Sequence, residues 1–208
     1  MTVDRFLVTG IGGQGVILLT KIMARIGFED GVNLNTLETL GGMMRGGPVY
    51  VQATIGPPEH GAAVSYGSAD VVVALEGYEG LRVASKFLKP GGLVFQNAKL
   101  VRVAGHYRTK RKPVSIERLP ELYAELEARL LMGPATELAA SAGNARLENL
   151  AMLGVLVQSG LFGLQADTSR EVIGRSVPAG TEAGNLAAFE AGLAWAAAQT
   201  LPAELAPA

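Results

Sequence analysis

Residues 5–15 read RFLVTGIGGQG. The first six form a short apolar run ended by glycine, the pattern of a buried strand. Gly10, Gly12 and Gly15 then complete G-x-G-x-x-G, with Gly13 and Gln14 added between them. Downstream, GVILLTKIMARIGFEDG places Val16, Leu19, Ile22, Met23 and Ile26 at helical spacing, and Gly31 lies just past the expected helix end. VNLNTLE (32–38) reads as a second strand. The order strand, glycine loop, helix, strand is a βαβ unit with an expected right-handed crossover.

In such a unit the first glycine permits a tight turn, the second lets a phosphate approach the backbone, and the third lets the helix pack on the sheet. The free N–H groups and dipole of the helix start would face the crevice. Gly13 adds backbone freedom, and Gln14 a side-chain donor and acceptor. Anion or nucleotide contact and pure packing both remain open from these residues. A ribose-binding acid belongs about 20 residues downstream. Glu38 ends the second strand but stands 28 positions after Gly10.

A second glycine-rich segment, ETLGGMMRGGPV (38–49), leaves the second strand and leads into VYVQATIG. Its Arg45 offers a rigid fork to a phosphate or carboxylate, with Gly46 and Gly47 giving clearance. The alternative is a surface arginine in a turn. SADVVVALE (68–76) is an uninterrupted apolar run, as in a parallel strand covered on both faces. GYEGLRVASKFL is a short helix, KPGG a turn, and LVFQN (93–97) a strand. Glu76 and Glu79 read more simply as helix-start carboxylates than as an acid–base pair.

Residues 99–112, KLVRVAGHYRTKRK, form a basic insertion: a solvated loop, or a patch for an anion or acidic partner. SIERLPELYAELEARL reads as helix, with Glu125 and Arg129 at i,i+4. Residues 132–163 read as a turn and an apolar helix, punctuated by Gly143-Asn144. There Asn144 and Asn149 would cap the helix or bond loop backbone. SREVIGRS is a further short helix, and an Ala-rich helix over 181–200 closes the chain. The expectation is one domain over 1–208: a Rossmann-like open, mostly parallel sheet with helices on both faces.

Composition narrows the chemistry. The chain has 208 residues, with 49% hydrophobic and 18% charged against a usual ~25%. That suits either a closely packed Ala- and Gly-rich domain or a subunit that buries its outside against partners. A net charge of −1 gives no global pull toward nucleic acid or an acidic membrane. There is no cysteine, so thiolate ligation of zinc or iron–sulfur clusters by this chain is excluded. With only His60 and His106, a multi-histidine metal site is not expected. The start MTVDRFLVTG lacks an apolar signal core, and the expected setting is cytoplasmic.

Taken in order, the segments resemble the gamma-type subunit or domain of the 2-oxoacid:ferredoxin oxidoreductases, most closely the indolepyruvate type. The matching positions are Gly10–Gly15, Glu38, Arg45-Gly46-Gly47, Ala69-Asp70 to Glu76, Lys89 to Asn97, and Gly143 to Gly154. The resemblance implies oxidative decarboxylation of a 2-oxoacid, acyl transfer to coenzyme A and electron delivery to ferredoxin. It implies thiamine diphosphate and iron–sulfur clusters on partner subunits, and a role here in shaping the coenzyme A region. Gly10, Gly12, Gly13, Gln14, Gly15, Glu38, Arg45, Gly46, Gly47 and Asn144 are the implied ligand-side residues; none is implied as catalytic or metal-binding. For the isolated chain, a homodimer is the expected self-association. Two features depart from the family pattern: the basic insertion, and Ala53-Thr54-Ile55-Gly56 where an arginine often stands.

Other classes remain open. FLKPGGLVF is typical of methyltransferases, and the glycine loop with Glu38 would suit S-adenosylmethionine. A free-standing NAD oxidoreductase and a purely structural subunit complete the alternatives.

Overall fold

In the computed structural model, residues 3–40, 46–57, 59, 61–101 and 114–199 are described. The basic stretch from 102 onward, Arg45, both histidines and the tail from 200 lie outside them.

The strands are β1 (Arg5–Ile11), β2 (Leu34–Leu40), β3 (Pro48–Ile55), β4 (Ala69–Ala74), β5 (Leu88–Asn97) and β6 (Arg129–Gly133). They form one sheet in the order β2-β3-β1-β4-β5-β6. β1, β4, β5 and β6 pair in parallel, whereas β3 runs antiparallel to both β1 and β2. The sheet is thus mostly parallel, as expected, with one reversed strand. That strand corrects the simple βαβ picture. β1 and β2 are joined by helix α1 (Val16–Asp30) but are not neighbours, because β3 fills the gap between them.

Strand periodicity sorts side chains to two faces. Phe6, Val8, Val71, Val73, Leu93 and Phe95 face a large core with α1 and the later helices. Those helices are α4 (Ala135–Ser141), α5 (Glu148–Gln158), α6 (Ala166–Ser176) and α7 (Glu182–Ala197). Leu7, Val72 and Val94 face a smaller core with α2 (Gly77–Phe87) and α3 (Leu119–Glu125). Both faces of the central strands are therefore covered, which explains their unbroken apolar sequences.

α1 ends as read: Gly31 adopts φ 76°, and its N–H bonds Gly27 O. Two local readings are corrected. Lys89–Gly92 do not terminate the strand region; β5 starts at Leu88, and the KPGG residues form an irregularity. There Ala69 pairs with Leu88 but Val71 pairs with Leu93. The helix expected to carry Glu125 and Arg129 stops at Glu125, and Arg129 begins β6. Glu127, at φ 53°, turns the chain between them.

α5 and α7 touch backbone to backbone. A Cβ on Gly154 would strike Phe189 O, and one on Gly192 would strike Ala151 O. Small residues let the axes approach this closely, which gives α7 its Ala- and Gly-rich composition a packing reason.

Candidate functional site at the carboxyl ends of the parallel strands

β1, β4 and β5 deliver Ile11, Ala74 and Asn97 to one rim of the sheet, and β3 begins at that rim with Pro48. Open α/β sheets bind ligands outside this edge. The two glycine-rich segments meet here. Gly12 N–H donates to Gly47 O at 2.8 Å, and Gly46 N–H donates back to Gly12 O at 3.2 Å. The antiparallel insertion of β3 causes this: Ile11 is registered with Pro48, so the turn before β3 lies directly on the loop after β1.

Gln14 does not project to a ligand. It is 6% exposed and spends its amide inward. Its Oε1 accepts from Ile11 N–H at 2.7 Å. Its Nε2 donates to Leu75 O at 3.1 Å and to Glu148 Oε1 at 3.0 Å. Gly10 is glycine for the same reason, since its Cβ would stand 2.7 Å from Gln14 Oε1. Gly15, at φ 78°, has Asn149 packed where a side chain would go, and Asn149 Nδ2 donates to Gly15 O at 3.4 Å. Gly13, by contrast, is exposed at φ 104°, with nothing within 4 Å of its absent Cβ. Among the described residues, Gly13 and Gly15 N–H have no backbone or side-chain acceptor. The loop thus leaves room and donors at Gly13, while Gly10 and Gln14 serve its shape.

The remaining sequence-predicted residues divide. Gly46 and Gly47 join the loop; Arg45 lies outside the described residues. Glu38 sits on β2, separated from β1 by β3, and its Oε1 pairs with Lys21 on α1 at 3.3 Å. That location takes it away from the ribose-binding position at the end of a strand adjacent to β1. Asn144 caps the turn Ala145–Leu147, accepting from Arg146 N–H at 3.0 Å. It borders a groove of about 500 Å³ with Leu18, Leu147, Val177 and Thr181 rather than the glycine loop. Asn149 reaches the loop instead. Glu76 proves to be the α2 cap. It is 1% exposed and accepts from Glu79 N–H and Val101 N–H, both at 2.9 Å. Burial raises its pKa above the ordinary value, against the lowering effect of those backbone donors.

The residue that the sequence reading missed is Glu148. It is 2% exposed and receives four side chains. They are Gln14 (3.0 Å), Asn97 Nδ2 (3.3 Å), Thr136 Oγ1 (2.5 Å) and Lys99 Nζ (2.8 and 3.0 Å). Its signal was its place at the head of ENLAMLGVLVQ, a charge entering an almost wholly apolar helix. Lys99, the first residue of the basic stretch, neutralises it while remaining partly exposed.

At the opposite rim, Asp70 accepts from Asp4 and Arg5 N–H at 2.9 Å each and pairs with Lys89. Burial pushes its pKa up. The Lys89 contact and the two backbone donors outweigh this and hold it below the ordinary value. The A-D and K-x-G-G segments are thereby one physical unit. Among the described residues there is no cluster of three metal-ligating acids or histidines, and no helix long and apolar enough to cross a membrane.

This sheet and rim define a Rossmann-like α/β domain with its glycine loop locked into a second glycine turn. The profile of the pyruvate ferredoxin/flavodoxin oxidoreductase family matches residues 5–195, and the chain belongs to that family. It is 34% identical over 190 residues to indolepyruvate oxidoreductase subunit IorB of Pyrococcus horikoshii, covering 90% of this chain and 93% of the relative. The Thermococcus kodakarensis IorB is 31% identical, with 90% and 93% covered. In fold, the chain is similar to the gamma subunit of a keto/oxoacid ferredoxin oxidoreductase from Geobacter sulfurreducens. The TM-score is 0.69 at 21% identity, covering 94% of this chain and 99% of that one. It is similar also to a 2-oxoglutarate:ferredoxin oxidoreductase from Magnetococcus marinus solved with 2-oxoglutarate, coenzyme A and succinyl-CoA. There the TM-score is 0.70 at 23% identity, covering 96% of this chain and 32% of that one.

Proposed function

We propose that this chain is the subunit without the thiamine centre in a 2-oxoacid:ferredoxin oxidoreductase, with an indolepyruvate- or pyruvate-like substrate. The complex would decarboxylate the 2-oxoacid oxidatively, form acyl-coenzyme A and pass electrons to ferredoxin. The curated relatives of matching length support this assignment. Thiamine diphosphate and iron–sulfur clusters belong to partner chains in this reading. A polypeptide without cysteine has no thiolate for a cluster.

Coenzyme A supplies the thiol that takes the acyl group, and this chain would shape part of its surroundings. The observation that carries the reading is the lock between Gly12 and Gly46-Gly47 at the carboxyl rim. In the sequence, Arg45 directly precedes Gly46, the glycine loop's bonded partner. The open space at Gly13, and the N–H groups of Gly13 and Gly15 that have no acceptor among the described residues, suit a phosphate, and the proposal assigns the neighbouring cation to Arg45. The proposal gives Glu38 and Asn144 no part in that contact, because Glu38 pairs with Lys21 and Asn144 caps residues 145–147.

The test has two parts. Purification from the native source should bring down a cysteine-rich, thiamine-binding chain in stoichiometric amount. In that assembled enzyme, Arg45→Ala should raise the Michaelis constant for coenzyme A and leave the constant for the 2-oxoacid in place. An isolated chain that bound S-adenosylmethionine or NADH tightly, with no accompanying subunit, would sink the proposal.

A further inference from the structure

We infer that Glu148 is the positioning residue of the glycine loop, acting through Gln14. With Asp70 and Glu76 it is one of three buried acids among the described residues, and it accepts donors from four segments of the rim. They are the loop after β1, through Gln14; the end of β5, through Asn97; the following connection, through Lys99; and the start of α4, through Thr136. Glu148 itself opens α5, whose next residue, Asn149, backs Gly15. The Glu148 carboxylate and the Asn149 amide, neighbours at the head of α5, therefore brace the loop from two sides.

The chemistry requires an anion at 148. Gln14 Nε2, Asn97 Nδ2, Thr136 Oγ1 and Lys99 Nζ supply five contacts within 3.3 Å. All four atoms donate, although Asn97 Nδ2 shares its two hydrogens among Glu148, Leu75 O and Thr136 Oγ1. Only an acceptor-only group with two oxygens satisfies them. A glutamine at 148 would turn an NH₂ toward a donor and leave a single oxygen to share. Gln14 would lose one of the two acceptors that hold its amide, which loosens the Oε1 that accepts from Ile11 N–H. Glu148 thus sets where Gly12 and Gly13 stand without touching whatever meets them. The pair with Lys99 ties the same point to the first residue of the basic stretch, so the glycine loop, Asn97 and Lys99 share one anchor.

The inference about loop placement stands on geometry. Its consequence for coenzyme A rests on the proposed function. The two are separated by using the double variant Glu148→Gln/Lys99→Met, which leaves the net charge of the pair unchanged, so that electrostatic attraction of an anion is held constant. Hydrogen–deuterium exchange on the purified chain should show Ile11 and Gly12 amides opening about tenfold or more faster, with α6 and α7 amides unchanged. In the assembled enzyme the Michaelis constant for coenzyme A should rise about five- to tenfold, with kcat at saturating coenzyme A within about twofold. Glu148→Asp, which keeps the charge, should restore part of both effects. Should the double variant not fold, Thr136→Val removes one donor partner and is read in the same way, with a smaller opening at Ile11.

Unchanged exchange at Ile11 and Gly12 in a folded variant would overturn the inference. So would a uniform rise across all helices, which is general destabilisation. Local opening with an unmoved Michaelis constant would leave the positioning role standing and overturn the coenzyme A reading.

Discussion

Asn149 occupies the space that a side chain on Gly15 would need, and donates its amide to the Gly15 carbonyl at 3.4 Å. The head of α5 and the chain's first loop, 134 residues apart, are thus in contact. Gly15→Ala should combine left-handed backbone strain with this collision and cost about 2–3 kcal/mol in urea unfolding. Adding Asn149→Ala should return part of that loss, because the strain persists while the collision disappears.

Gln14 is the sensitive residue of the loop, although it was expected to face a ligand. Gln14→Met keeps the volume but strands Ile11 N–H and removes one of two donors from Leu75 O and one from Glu148 Oε1, which keep Asn97 and Lys99. Leaving Ile11 N–H unpaired should cost about 1–3 kcal/mol. Gly13→Ala, by contrast, meets open space and only backbone strain. Its cost should be about 1 kcal/mol, and its effect should appear in ligand binding more than in unfolding.

Two buried carboxylates should leave opposite marks on the pH dependence of stability. Asp70 has a lowered folded pKa. Its contribution is complete above the unfolded carboxyl value and is lost as pH falls through the folded one. Glu76 has a raised folded pKa. Its charged form is disfavoured by folding, so the penalty is complete above the folded value and is relieved as pH falls below it. Urea midpoints from pH 7 to pH 3 should therefore show the gap between wild type and Asp70→Asn closing with acid. Relative to Glu76→Gln, wild type should improve over the upper part of that range.

The backbone contact between α5 and α7 predicts intolerance of a single methyl. Gly154→Ala or Gly192→Ala must push the helices apart, because the obstructing atoms are backbone on the facing helix. Each should cost about 2–3 kcal/mol or more by thermal or urea unfolding. Gly174→Ala on α6 meets nothing within 4 Å and should be neutral or stabilising.

The elements themselves were readable where local pattern decides them. The strand ended by Gly10, the helix ended by Gly31, and the unbroken apolar run of β4 all follow from short-range chemistry. What was not readable is where strands go in the sheet. β3 has the alternation of a half-buried strand, but nothing in its residues states that it reverses and enters between β1 and β2. Arg129 was drawn into a helix because RLLMG is too short an apolar run to announce a strand, and the turn at Glu127 has no glycine. Within the site, the glycines were found because glycine marks backbone demands. Glu148 was missed because a lone glutamate in a polar segment looks solvated until its four donors, from distant parts of the chain, are brought around it.

The glycine-to-glycine crossing of α5 and α7 has a mechanical consequence. α5 carries at its head both the carboxylate and the amide that brace the opening loop, and α7 is the surface against which α5 rests. Shortening the polypeptide ahead of residue 182 would remove that backing. The damage would surface at residues 10–15, at the far end of the sequence, before it reached the strands.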